Sequence, residues 1–360
     1  MTNLKEYLQD LILMEGPISI ARYMEACLTH PEFGYYLTRD PLGAKGDFIT
    51  APEISQMFGE MVGLWVIDCW QKMGRPVPVQ LVELGPGRGT LMVDIVRTLK
   101  ISPGLKTAVQ IHLVEASPVL AVSQADNLEA EWHPNLSSVP GGPFILIANE
   151  FFDALPIHQF QRTKAGWKEI FVGLRNAGFA TELAAPGSTL DRLSGKLQNN
   201  ALPGQFAEIA PSALDLCETI GARIKADGGV ALIIDYGYTE DGYGETLQAV
   251  RNHQFYGVFD DPGQADLTAH VNFAALKRSL SVAGAAVWGP TTQGEFLKRM
   301  GIEKRAERLS GDVSPKQKKE IAAALHRLTA VPAMGRLFRV LAASRLAMGQ
   351  PLGFDRDDDA

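Results

Sequence analysis

The chain has 360 residues, 46% of them hydrophobic, and a formal net charge of -7, enough apolar material for a large core in one elaborated domain or two. The acidic balance and the dispersal of lysine and arginine argue against nucleic acid, which requires clustered cations for phosphate contacts, and no apolar run reaches the roughly 18 residues needed to cross a bilayer. Cys27, Cys69 and Cys217 have neither disulfide nor ligand spacing, so no metal is expected. The opening residues lack a secretory or transit pattern, which predicts a cytoplasmic protein.

Residues 3–14 and 18–29 have helical spacing, and 41–46 read as a loop. Thr50, Pro52 and Glu53 form a helix-start signature, with threonine as cap, proline in the first turn and glutamate three residues on. Ile54, Met57, Phe58, Met61, Trp65 and Cys69 then recur on one helical face. A capping role already accounts for Glu53; Asp47 has no such role and is the better functional candidate of the two.

Residues 79–84 are a buried-strand pattern that runs into Gly85, Pro86, Gly87, Arg88, Gly89 and Thr90. Glycines at the carboxyl end of a first strand let backbone approach a nucleotide-like ligand where a Cβ would collide. The helical pattern of Leu91, Met92, Ile95, Val96 and Leu99 would aim its first N–H groups at the same place. A dinucleotide fingerprint wants glycine at the sixth position, where this chain has Thr90. The pattern beginning at Glu83 is Glu-x-Gly-x-Gly-x-Gly, which resembles the first motif of S-adenosylmethionine-dependent methyltransferases, whose cofactor has no pyrophosphate. A tight turn needs glycine for purely conformational reasons too, and the next strand bears on that alternative. Residues 109–115 end in Glu115, whose two acceptor oxygens suit both hydroxyls of a ribose.

The fourth strand, 144–149, ends in Asn149 and is followed by Glu150, Phe151, Phe152 and Asp153, at the end of the sheet where ligand crevices open. Glu150 and Asp153 could fork onto a cationic group and accept a proton from it. Phe151 and Phe152 would pack beneath the site, and Asn149 would orient substrate or the cofactor amine. Short alternating segments at 157–162 and 167–174 predict a hairpin, and 175–207 reads as a meandering insertion. His158 falls in that hairpin and reads as a packing residue. A helix over 211–226 and a strand over 229–235 lead to Asp235 and Tyr236, again on the ligand side. Residues 239–265 resemble a lid, 271–283 a helix, 285–288 a strand, 293–330 helical structure and 334–343 a last strand.

Three stretches carry a specific resemblance: residues 46–60, the turn over 83–91, and residues 148–156. Together they resemble the MidA family, the mitochondrial complex I assembly-factor methyltransferases and their bacterial relatives, from about residue 30 to residue 273. The resemblance implies an α/β, Rossmann-like, seven-stranded class I methyltransferase fold with S-adenosyl-L-methionine as cofactor. It also implies methylation of a protein arginine, on a complex I subunit in the mitochondrial branch. On that reading Glu150, Asp153, Asp47 and Asp235 are catalytic candidates. Glu83, Gly85, Pro86, Gly87, Gly89, Thr90, Glu115 and Asn149 hold the cofactor, and Glu53, Tyr236 and His270 meet the substrate. The expected organisation is a helical cap over 1–75, a methyltransferase domain over 76–345 with insertions at 157–207, 239–265 and 293–330, and an acidic tail. A non-catalytic assembly chaperone and a nicotinamide oxidoreductase stay open as alternatives.

Overall fold

A computed structural model describes residues 3–38, 49–176 and 178–355. The chain forms two compact units that take alternate segments. Met1–Phe48, Phe152–Leu216 and Tyr238–Leu276 build the first, and Ile49–Phe151, Cys217–Gly237 and Lys277–Ala360 the second.

The second unit is organised on a sheet with seven strands on one hydrogen-bonded path. In chain order these seven are β1 (Val79–Leu84), β2 (Val109–Val114), β3 (Glu131–His133), β4 (Phe144–Asn149), β5 (Gly229–Tyr238), β6 (Ala286–Thr292) and β7 (Phe338–Ser344). Their order across the sheet is β3-β2-β1-β4-β5-β7-β6. The first five run parallel, and β7 is antiparallel to both β5 and β6. Every residue of β1 and β4 is buried, because helices cover both faces of a parallel sheet and leave no polar side to alternate with. The chain leaves β1 toward β2 and β3, then returns to β4 on the opposite side. That reversal opens a crevice at the carboxyl ends of β1 and β4.

Helix Gln56–Lys72 packs on helix Thr90–Thr98 through its small residues. A Cβ on Gly59 would come 2.4 Å from Cβ of Asp94, and one on Gly63 would come 2.7 Å from Cβ of Thr98. The two glycines therefore set how closely the helix after the glycine turn sits against its neighbour. Phe58, Trp65, Leu81, Leu91, Ile145, Leu232 and Val340 belong to the core beneath.

The first unit has its own core, which includes Leu8, Tyr23, Met24, Tyr35, Ile170, Val172 and Leu267. Helices Leu4–Glu15 and Ile20–Thr29 accompany a five-stranded sheet that contains the expected hairpin, His158–Thr163 paired with Gly166–Arg175.

Several expectations need correction. The boundary between the two units falls after Phe48, within the 1–75 segment. The helix expected from Thr50 onward is two helices, Ala51–Ile54 and Gln56–Lys72, because Ser55 is extended and its hydroxyl caps the second by accepting from the Met57 N–H at 3.2 Å. The expected meander contains a strand, Gly178–Ala184, paired antiparallel with Gly166–Arg175, as well as helix Gly195–Asn200. The 239–265 segment contains a hairpin, Gln248–Arg251 with Gln254–Tyr256. The last strand begins only at Phe338, after a short helix Met334–Leu337. Among the described residues no helix is long and apolar enough to cross a membrane.

Candidate active site

β1 ends at Leu84 and the chain turns at once. Gly85, Gly87 and Gly89 take φ of +59°, +55° and +78°, and the Gly89 N–H closes the turn on the Pro86 carbonyl at 2.8 Å. A Cβ on Gly85 would lie 2.7 Å from the Phe151 ring, so a side chain is excluded there by space as well as by backbone conformation. Phe151 therefore packs against the turn, as the sequence led us to expect.

Gly89 stands in the left-handed conformation at the head of helix Thr90–Thr98. The Thr90 hydroxyl donates to Oε1 of Glu53. Thr50 makes no side-chain cap bond, so Glu53 leaves the expected capping box and ties its own short helix to the start of the next one.

Glu115 stands just past β2, its N–H donating to the His133 carbonyl at 3.0 Å. Its carboxylate accepts from the Ser117 N–H at 2.7 Å and from Gln124 Nε2 at 3.1 Å. The same Gln124 nitrogen donates to the Gly87 carbonyl at 2.7 Å, and its oxygen accepts from Trp132 Nε1 at 2.7 Å. Gln124 is fully buried and joins the acid to the glycine turn. Sequence reading missed it. The available signal was a glutamine four residues after Leu120, on the buried stripe of helix Pro118–Ala125. Burial raises the Glu115 pKa, against the lowering effect of the Ser117 and Gln124 bonds.

Glu83 and Asn149 complete this end of the sheet. Glu83 is opposite Ile147 and Leu84 opposite Ala148, so strand alternation directs Glu83 and Asn149 to the same face. Both are buried, and Oε2 of Glu83 and Oδ1 of Asn149 lack hydrogen-bond partners. Burial, with the Glu115 charge as second cause, pushes the Glu83 pKa up to about 8. Two buried oxygens without donors define a place for a group rich in N–H, and an ammonium offers three.

Glu150 follows β4 with φ of +50°, a conformation rare outside glycine that gathers at functional sites. Its N–H donates to the Ile234 carbonyl at 2.9 Å, and its Oε1 accepts from the Ala51 N–H at 2.9 Å and from Asn149 Nδ2 at 3.2 Å. Asp235 is fully buried; its Oδ2 accepts from the Phe151 N–H at 3.2 Å and its Oδ1 from the Tyr236 N–H at 2.9 Å. Both of its oxygens are thus turned to backbone and shape the segment that carries Glu150. Tyr236 packs edge-on to Phe338, with centroids 5.5 Å apart.

Of the remaining candidates, Asp153 and His270 fall in the first-unit segments Phe152–Leu216 and Tyr238–Leu276. There the Asp153 carbonyl accepts from the Ala269 N–H at 2.9 Å, and the Tyr36 hydroxyl donates to Asp266 at 2.7 Å. Burial, then the charges of Asp266 and Asp153, holds the Tyr36 phenol well above its ordinary pKa. His270 lines a small concavity with Glu208, Tyr238 and Asn272. Burial lowers its basicity, and Glu208 opposes that effect. Asp47 lies outside the described residues. Although no metal was expected, His112, Glu131 and His133 bring three ligand-type atoms within 4.8 Å of one another. They come from two strands, so linear spacing does not reveal them.

The doubly wound sheet, the glycine turn and the acid after β2 define an enzyme that binds a nucleoside cofactor. Residues 61–291 match the family described as "Putative S-adenosyl-L-methionine-dependent methyltransferase". The chain is 39% identical over 381 residues to the protein arginine methyltransferase NDUFAF7, mitochondrial, of Danio rerio, covering 96% of this chain and 89% of that protein. It is 38% identical over 343 residues to the Homo sapiens protein of the same name, covering 85% and 75%. The fold also matches the crystal structure of a Burkholderia thailandensis protein bound to S-adenosyl-homocysteine, with a TM-score of 0.85, 26% identity and coverage of 98% and 96%. The chain belongs to this family of S-adenosyl-L-methionine-dependent methyltransferases, and S-adenosyl-L-methionine is its cofactor.

Proposed function

We propose that the chain is a protein arginine N-methyltransferase whose substrate is a subunit of respiratory complex I or a related protein. The observation that carries the site assignment is the pair of buried, donor-less oxygens on Glu83 and Asn149 beside the glycine turn. They fit the amino group of S-adenosyl-L-methionine. Glu115, held by Ser117 and Gln124, would hold the ribose hydroxyls, and the turn from Gly85 through Thr90 would hold the rest of the nucleoside.

When bound, the cofactor supplies a methyl group on a sulfonium. The protein contributes the position of the nucleophile. Glu150 is fixed by the Ile234 carbonyl, the Ala51 N–H and the Asn149 amide, and its carboxylate pairs with the arginine of the substrate. Drawing two N–H groups of a guanidinium to one carboxylate localises charge away from the attacking nitrogen, and the carboxylate then accepts the proton released on methyl transfer. Asp235 acts through this segment as a positioning residue. Support for arginine as the target comes from the relatives, 36–39% identical over most of the chain, that bear that name. Complex I as partner rests on the family resemblance. The relatives are named mitochondrial, and the cytoplasmic expectation finds no support among those names.

The test is methyl transfer to an arginine-bearing subunit of complex I, followed by amino-acid analysis of the product. Glu150→Gln is expected to lower kcat at least 100-fold while S-adenosylhomocysteine affinity stays within about threefold, since transition-state electrostatics of this kind are worth about 2.7–4 kcal/mol. Unchanged turnover in the variant would remove Glu150 from the mechanism. Cofactor binding with no transfer by the wild type would favour an assembly chaperone.

A further inference from the structure

At the β3 edge of the large sheet, a group of polar side chains shares one face without serving the cofactor site. Gln80 is opposite Gln110, His112 opposite Glu131 and Val114 opposite His133, so alternation puts the two glutamines, the two histidines and Glu131 on one face. His112 is 1% exposed and His133 9%, whereas the Glu131 side chain is 69% exposed.

The surrounding hydrogen bonds fix both tautomers. Gln80 Nε2 donates to Gln110 Oε1 at 3.0 Å, which turns its oxygen toward His112 Nε2 and puts the hydrogen on that nitrogen. The Ser138 hydroxyl donates to the Asn135 carbonyl at 2.8 Å. Its oxygen, 3.3 Å from His133 Nδ1, therefore accepts, and Nδ1 carries the hydrogen there. Nδ1 of His112 and Nε2 of His133 are both left bare, with their lone pairs opposed at 2.9 Å. A cation between them removes that repulsion. Glu131 Oε2, 3.7 Å from the first and 4.0 Å from the second, adds a third donor and a negative charge.

We infer that His112, Glu131 and His133 form a binding site for a divalent transition metal of the zinc type. Two imidazoles and a carboxylate are a zinc donor set, with a fourth position left to water. Both histidines already donate their outer N–H to an oxygen, the arrangement that orients metal-bound imidazoles. With zinc–nitrogen bonds of about 2.0–2.1 Å, the present separation corresponds to about 90° at the metal, and widening it by about 0.4 Å gives the tetrahedral angle. The His133 carbonyl accepts from the Glu115 N–H, so an ion here also stiffens the strand end that presents the ribose acid.

The experiment is titration of the chelator-treated full chain with zinc(II) against a chromophoric competitor, repeated with cobalt(II) to read the coordination geometry from its visible absorption. One equivalent should bind, with an intense cobalt spectrum of the tetrahedral kind. Affinity should fall about 100-fold in His133→Gln and about tenfold in Glu131→Gln, the latter at an exposed side chain that the fold does not need. Zinc bound equally well by wild type and both variants, or a cobalt spectrum no different from the hydrated ion, would overturn the assignment.

Discussion

Burial of the Glu83 carboxylate, 3% exposed and with one oxygen lacking a donor, couples stability to pH. Its folded pKa of about 8 is above its ordinary value of 4.5, so the folded state holds the proton more tightly than the unfolded chain. For a carboxyl shifted in this direction, stability falls as pH rises from about 4.5 to about 8, and the full penalty persists above that. Glu83→Gln does not titrate. Its stability relative to wild type should therefore grow across that window by a few kcal/mol, measured by urea unfolding at pH 5, 7 and 8.5. A gap that stays constant with pH would contradict the assignment. The same variant should bind S-adenosylhomocysteine more weakly, since the amide presents a donor where an ammonium wants an acceptor. This residue was legible in the sequence as the acid of the glycine motif. Its orphaned oxygen was not, because donor satisfaction depends on neighbours that only the packed structure brings near.

The glycine turn is where an element and its site depend on a single Cβ. Gly85→Ala introduces a side-chain atom 2.7 Å from the Phe151 ring at φ of +59°, which should cost about 1–3 kcal/mol of stability. It should also abolish detectable cofactor binding by calorimetry, because Phe151 and the turn must separate. Retained binding with wild-type stability would mean the turn yields without consequence. The strands that carry the site were readable because each is a local apolar run, and β1, β2 and β4 appear within a residue of where the pattern puts them. Other features needed contacts distant in sequence. β3 is three residues long, too short to show alternation, and its pairing with β2 is what brings His133 to His112. Glu53 satisfied a capping pattern in sequence, yet Ser55 breaks the helix and frees Glu53 for Thr90. Gln124 looked like an ordinary helix residue until its amide met Glu115, Gly87 and Trp132 together.

For the whole molecule, the amino-terminal helices share one core with segments far along the chain. Leu8, Tyr23, Met24 and Tyr35 are almost wholly buried and share one hydrophobic cluster with Ile170, Val172 and Leu267. Removing residues 1–48 should therefore leave a chain that aggregates or lacks a cooperative unfolding transition, since each deleted large core side chain is worth about 2–5 kcal/mol. A soluble deletion product with a sharp melt would show that the first unit can close without its helices. The sequence pattern marks insertions after Pro156, but local hydrophobic periodicity carries no information about which core a segment joins.

That alternation has a consequence for biosynthesis. The first unit waits for Leu267 and Ala269, and the second waits for β6 and β7, the latter ending at Ser344. A nascent chain emerging from the ribosome therefore carries unfinished apolar surface until these late segments have emerged. The burden of keeping the polypeptide from premature association falls on the cell's folding helpers until β7 can pair.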